Sequence, residues 1–197
     1  MVVDGWVGKA LCMDAPATVH RMRPDLDGWL ATPSVRTTHR RESDASAPEL
    51  WRAAQAVRLR DCGVLGRLIT ARVAGAQAAM SFEQLFRTPP FVTLERGATW
   101  TLAGLCGRIW SVRGDLGPLA GPQEFATWSQ PGTVRVLFAH WAEATDSGSA
   151  LYSEVRVAPV DRRAGVYLRA LEPFIAAFQG LVGREALARA VRRARTG

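Results

Sequence analysis

The stretch from Thr99 to Trp110 carries the side chains best suited to holding a small molecule. In an extended chain, alternation puts Trp100, Leu102, Cys106, Arg108 and Trp110 on one face, provided Gly104 and Gly107 do not shift the register. Two indoles there would stack on a flat or apolar guest, and the Arg108 guanidinium would pair with a carboxylate or phenolate. The alternative makes both tryptophans core and Arg108 an outer-face residue paired with Glu154. The segment from Thr133 places Val134, Val136, Phe138 and His140 on one face and Arg135, Leu137, Ala139 and Trp141 on the other. Both faces are partly apolar, so alternation alone does not decide which turns inward. His140 is the candidate general acid or base, because an unperturbed imidazole titrates at about 6.5; the plainer role is a structural histidine. Glu154 and Arg156 follow the polar phase of the next strand. They are solvated if that phase faces out, and the most polar groups of the pocket if it faces in.

Other chemistries lack their residues. His20 and His39 lie in the first forty residues, far in sequence from His140, and no pair of histidines has metal-ligand spacing. Neither a nucleophile elbow nor a phosphate-cradling or dinucleotide-binding glycine loop is present, so no cofactor is expected. The glycines and prolines from Gly117 to Pro122 read as loops. Cys12, Cys62 and Cys106 are odd in number and widely spaced, which suits buried thiols.

The 197 residues are 48% hydrophobic and 22% charged, as for a folded domain. Uncharged runs such as Gly97 to Gly107 and Pro173 to Gly183 fall short of the roughly 20 apolar residues that cross a bilayer. Residues 1 to 12 lack the features of a secretory signal, so a cytoplasmic location is expected. The net charge of +7 comes largely from two segments, residues 34 to 72 and 184 to 197. In the second, Arg189, Arg192 and Arg193 share a helix face, but no aromatics are interleaved for base stacking. It reads as a solvated helix end more readily than as a nucleic-acid patch.

The elements that must position these groups follow from periodicity. Residues 1 to 33 show no clean period and contain three prolines; they read as a tail docking through Trp6, Met22, Leu26, Trp29 and Leu30. A domain over 34 to 197 follows. Ser34 to Asp44 suits a first strand. Ser46 and Glu49 form a capping box for a helix whose stripe is Leu50, Ala53, Ala54 and Val57. A second short helix carries Val64, Leu65, Leu68 and Ile69, and Met80 to Phe86 adds a turn or two before Pro89 and Pro90. Strands are expected over Phe91 to Glu95, Thr99 to Ile109, Thr133 to Glu143 and Ala150 to Ala158, with a bulge or bend at Gly104 and Gly107. Asp161 then caps a long helix, kinked at Pro173, with Tyr167, Leu171, Phe174, Phe178 and Leu181 along its buried face. The fold class is α+β, a curved antiparallel sheet wrapped around a long C-terminal helix with room for a ligand between them.

This order, with Ala47 to Trp51, Gly104 to Trp110, Phe125 to Trp128 followed by Pro131 and Gly132, and Ser153 to Val157, resembles the START-related helix-grip (SRPBCC, polyketide cyclase-like) superfamily, and more locally an uncharacterised bacterial branch of it. Trp100 stands where that branch commonly has an acidic residue. The resemblance implies binding of a lipid, polyketide or other hydrophobic molecule, catalysis being confined to some members. The expected partner is thus a hydrophobic small molecule, neutral or anionic, held by Trp100, Arg108, Trp110, Phe138, His140, Leu171, Phe174 and Phe178. Two alternatives stand beside it. One is a cyclase- or lyase-type enzyme using His140 and Arg108. The other is a basic interaction module for an acidic protein or nucleic acid. Oligomeric state leaves no trace in the sequence.

Overall fold

The computed structural model describes residues 23–111 and 115–196. Trp6, Cys12, His20 and Met22, singled out above, lie outside them. The chain runs α1 (Leu26–Leu30), β1 (Val35–Ser43), α2 (Ala47–Gln55), a 3-10 turn (Leu59–Asp61), α3 (Gly63–Arg72), α4 (Phe82–Phe86), β2 (Val92–Arg96), β3 (Trp100–Gly107), β4 (Leu116–Gly117), α5 (Pro122–Thr127), β5 (Val134–Thr145), β6 (Gly148–Pro159), α6 (Arg162–Leu181), a π-turn (Val182–Leu187) and α7 (Ala188–Thr196). The sheet is antiparallel in the order β1-β6-β5-β3-β2, with β4 beside β3. This is the helix-grip architecture.

Local chemistry accounts for the helix starts. Glu49 accepts from the Ser46 N–H at 3.0 Å and also from the Ser46 hydroxyl at 2.6 Å, so the carboxylate half of the expected capping box forms while the hydroxyl turns to the carboxylate. At α3 the cap comes from far along the chain: Glu185 in the π-turn accepts from the Val64 and Leu65 N–H groups at 3.3 and 3.1 Å. A carboxylate at a helix N-terminus meets the positive end of the helix dipole, so this contact ties the C-terminal segment to α3. Asp161 caps α6, accepting from Ala164 N–H at 2.8 Å, and also holds the Gly132 N–H at 2.6 Å.

Both sheet faces are covered. On the convex face Trp100, Leu102, Cys106, Leu137, Ala139 and Trp141 pack under α1 and Phe125 of α5. Gly104 lies beneath Phe125, and a Cβ added there would stand 2.6 Å from the ring. The expected bulge at Gly104 and Gly107 is absent: β3 pairs with β5 in unbroken register from Trp100 to Gly107. The irregularity lies instead in β2, between Thr93 and Glu95. Gly104 serves close approach, and the neighbouring strand absorbs the extra residue.

Glu154 and Arg156 point to this convex face yet are buried by α1. Arg156 donates to Glu154 at 2.7 Å, to the Leu30 carbonyl at 2.9 Å and to Asp27. Arg36 closes the network, 2.8 Å from Glu154. Burial opposes ionisation of Glu154, but hydrogen bonds and charge from Arg36 and Arg156 hold its carboxyl below the ordinary range. Trp29 donates to Glu95 at 2.9 Å, and Arg23 pairs with Glu143. Thus residues 23 to 30 reach β2, β5 and β6 with both apolar and ionic contacts.

On the concave side, α2, α3, the π-turn and α7 pack Leu50, Trp51, Leu65, Ile69, Leu187 and Val191 against Ala142 and Leu151. Val64 and Leu68, expected on the apolar face of α3, are exposed at 52% and 45%. The helix α6 corrects its expected stripe more strongly. Ala164, Leu168 and Gln179 are its buried residues, whereas Tyr167 is 44% and Phe174 72% exposed. Its first turns press on the sheet through Ala164 and Leu168 against the β-strand valines, with Ile175 reaching the same cluster from further along. Beyond them a cavity separates helix from sheet, so the large side chains of α6 border open space. Pro173 sits inside α6, which continues through it to Leu181. Cys62 and Cys106 are buried free thiols; burial is the main cause pushing them up to about 11 and about 12.

Candidate ligand-binding site

The cavity between the concave sheet and α6 has a volume of about 740 Å³, within the roughly 300–1,000 Å³ of small-molecule sites. Its walls are mainly apolar: Leu105, Val136 and Val155 from the sheet, Leu171, Ile175 and Phe178 from α6. At one end Phe86 of α4 packs edge-on against Phe91 and at a tilt against Phe138 and His140, with ring centroids 5.2, 5.4 and 4.9 Å away. Leu68 and Phe174 border the cavity and are exposed as well, marking its open side.

Register decides which side chains enter. Val134, Val136, Phe138 and His140 form the inward phase of β5, and Thr101, Ala103 and Leu105 that of β3. Of the sequence-derived candidates, Phe138, His140, Leu171, Phe174 and Phe178 are brought together around the cavity. Trp100 borders it, but packs in the convex cluster. Arg108 and Trp110 are not among the lining residues, which corrects the expected pocket wall. Arg108 is exposed and lies 4.0 Å from Asp115, and Glu154 pairs with Arg36 and Arg156 instead. Trp110 stacks on Tyr167 at 5.2 Å. The phase carrying Trp100 and Trp141 belongs to the convex side, because that side is also covered by helices and needs large apolar groups, whereas Trp110 packs on the opposite side.

The inward face holds one polar row. Arg96, Thr101, His140, Ser153 and His39 are successive cross-strand partners on β2, β3, β5, β6 and β1. The row on one side, Thr93, Ala103, Phe138, Val155 and Thr37, is apolar between two outer threonines, and the row on the other side runs from Ala142 through Leu151 to Arg41. Among the described residues, His140 Nδ1, Ser153 Oγ and His39 Nε2 are buried without a hydrogen-bond partner. Each such atom costs about 1–3 kcal/mol relative to a satisfied one. His140 is half-buried, but what it is open to is the cavity, and this desolvation pushes its imidazole down to about 4. It is therefore neutral at neutral pH, with one donor and one acceptor nitrogen.

Arg96 owes its place to the β2 irregularity. Thr93 faces inward opposite Ala103; the next paired residue, Glu95, sits opposite Leu102 on the convex face and holds Trp29. Leu94 is the extra residue, and it joins the convex cluster. Arg96 therefore returns inward opposite Thr101, where it lines the cavity. Its guanidinium lies 3.4 Å from Glu83, which also accepts from Arg87 at 3.3 Å. Two guanidiniums share one carboxylate, so this end of the cavity keeps a net positive charge. Thr101 and Ser153 escaped sequence reasoning because the inward phase was undecided; Arg96 escaped because nothing in Thr93-Leu-Glu-Arg96 announces the extra residue. Among the described residues, no group of three or more histidines, cysteines or carboxylates is placed to hold a metal ion.

No protein-family model matches the chain, and no curated protein matches it. Solved structures similar to it include protein MLL2253 from Mesorhizobium loti, with 12% identity over 79% of this chain and 98% of that one and a TM-score of 0.35. Ara h 8.0201 has 12% identity over 75% and 97%, with a TM-score of 0.28. TTHA0849 from Thermus thermophilus has 10% identity over 82% and 97%, with a TM-score of 0.31. No described helix is long and apolar enough to cross a membrane.

Proposed function

We propose that this protein binds a hydrophobic small molecule between its sheet and α6, as a member of the START-related superfamily. The observation that carries the reading is the apolar cavity of about 740 Å³ whose only continuous polar feature among the described residues is one cross-strand row. A space of that size left empty forfeits the packing that stabilises ordinary cores. The motifs at Ala47 to Trp51 and Ser153 to Val157 support the family placement.

The acid–base alternative draws less support. Arg108, its intended anion holder, stands outside the cavity, and His140 is held neutral far below its ordinary value. For the basic-module reading, Arg189 donates to the Asp61 carbonyl at 3.0 Å and Arg195 to Asp44 at 3.2 Å, so part of that charge anchors α7.

Native mass spectrometry of the purified full chain, followed by denaturation and analysis of released small molecules, tests the proposal together with titration by the neutral dye N-phenyl-1-naphthylamine. A released hydrophobic molecule, or saturable one-to-one dye binding that Val155→Arg abolishes in a folded protein, is the expected result. An apo mass together with no saturable dye binding overturns it.

A further inference from the structure

Resting on that reading, we infer that the ligand is an amphiphilic anion with a second, neutral oxygen: its carboxylate meets Arg96 at the β2 edge, and a hydroxyl or carbonyl further along an apolar skeleton meets His140 in mid-sheet.

The polar row supplies the argument. An apolar guest alone needs no polar groups on the cavity floor, and in mid-sheet the rows on either side provide none, their threonines and Arg41 lying on the two outer strands. The row instead joins two different kinds of group. At the edge, Arg96 and Arg87 share the single carboxylate of Glu83, which leaves one positive charge for a guest. Two strands inward, His140 is neutral and without a hydrogen-bond partner; its Nδ1 is sealed under the surface, which leaves Nε2 as the nitrogen at the cavity. Ser153, its β6 neighbour in register, is also unpartnered. A neutral imidazole offers one donor or one acceptor, so it satisfies a hydroxyl in either tautomer and a carbonyl in one. Strands lie about 4.8 Å apart, which puts the charged and neutral ends of the row about 10 Å from each other. That separation, and the apolar wall of Phe138, Phe178 and Ile175 along it, fits a hydroxylated medium-chain or aromatic carboxylate.

The test is displacement of bound N-phenyl-1-naphthylamine from the full chain by 1-decanol, decanoate and 10-hydroxydecanoate. The expected ranking is hydroxy acid over acid over alcohol, each step roughly tenfold, the worth of about one hydrogen bond. His140→Phe should erase the preference for the hydroxy acid while keeping acid over alcohol. Arg96→Met should do the reverse, with circular dichroism unchanged in both and each ranking read against that variant's own dye affinity. Should either variant fail to fold, the wild-type ranking still decides, and His140→Gln or Arg96→Lys provides a milder variant. Equal displacement by all three compounds, or a ranking that both variants leave intact, overturns the inference while the cavity reading stands. Failure of the dye to bind overturns both.

Discussion

His140 shows how a single side chain links the cavity to the stability of the protein. Its imidazole sits at about 4 in the folded chain against an ordinary 6.5, because burial desolvates it. As pH falls through 6.5 the unfolded chain takes up this proton first, so stability is lost between about pH 7 and pH 4 and this group adds no further loss below. The size is roughly 3 kcal/mol. His140→Phe should remove that share, which denaturant unfolding of both proteins at pH 7 and pH 4.5 would reveal as a smaller acid-induced drop for the variant. Arg156 gives a second expectation on the opposite face. Arg156→Met leaves Glu154 buried with Arg36 as its remaining cation and should cost on the order of 3 kcal/mol. Replacing Glu154 by Leu in the same chain should recover part of it in the same unfolding assay.

Elements were legible where one pattern spoke clearly. The order of strands and helices follows from β-branched runs and from Ser46, Asp161 and the proline pair, and each expected strand is present to within a few residues. The site was less legible, for a reason that lies in the sheet. Both of its faces are covered, so the apolar–polar alternation that marks a half-solvated sheet is blurred, and Trp100 looked as inward as Phe138. On α6, Leu171 and Phe174 continue a helical stripe that borders the cavity, and periodicity cannot distinguish a wall from a core. Gly104 offers a check on the convex layer. Gly104→Ala pushes a methyl into the Phe125 ring and should destabilise by about 1–3 kcal/mol, with much of the loss recovered by Phe125→Leu; thermal melts of the single and double variants would show it.

For the whole molecule, the segment through Leu30 is a second cover for the sheet. Leu26, Trp29 and Leu30 pack on the convex cluster, and Asp27 reaches Arg156. Removal of residues 1–33 should expose that cluster, lower the melting temperature by on the order of ten degrees and promote association, measurable by differential scanning calorimetry and light scattering. The cover and the cavity sit on opposite sides of the same strands, and Leu94 governs the traffic between them. Counted as odd and even, β2 changes parity at that residue. Were Leu94 paired in a regular strand instead of bulged out, Glu95 would fall on the cavity side and Arg96 on the covered side, and the mouth would greet guests with a carboxylate. The sign of charge that this protein offers its ligand is thus fixed by the irregularity in β2, and pairing the same residues without it would invert the preference without altering a single side chain of the cavity floor.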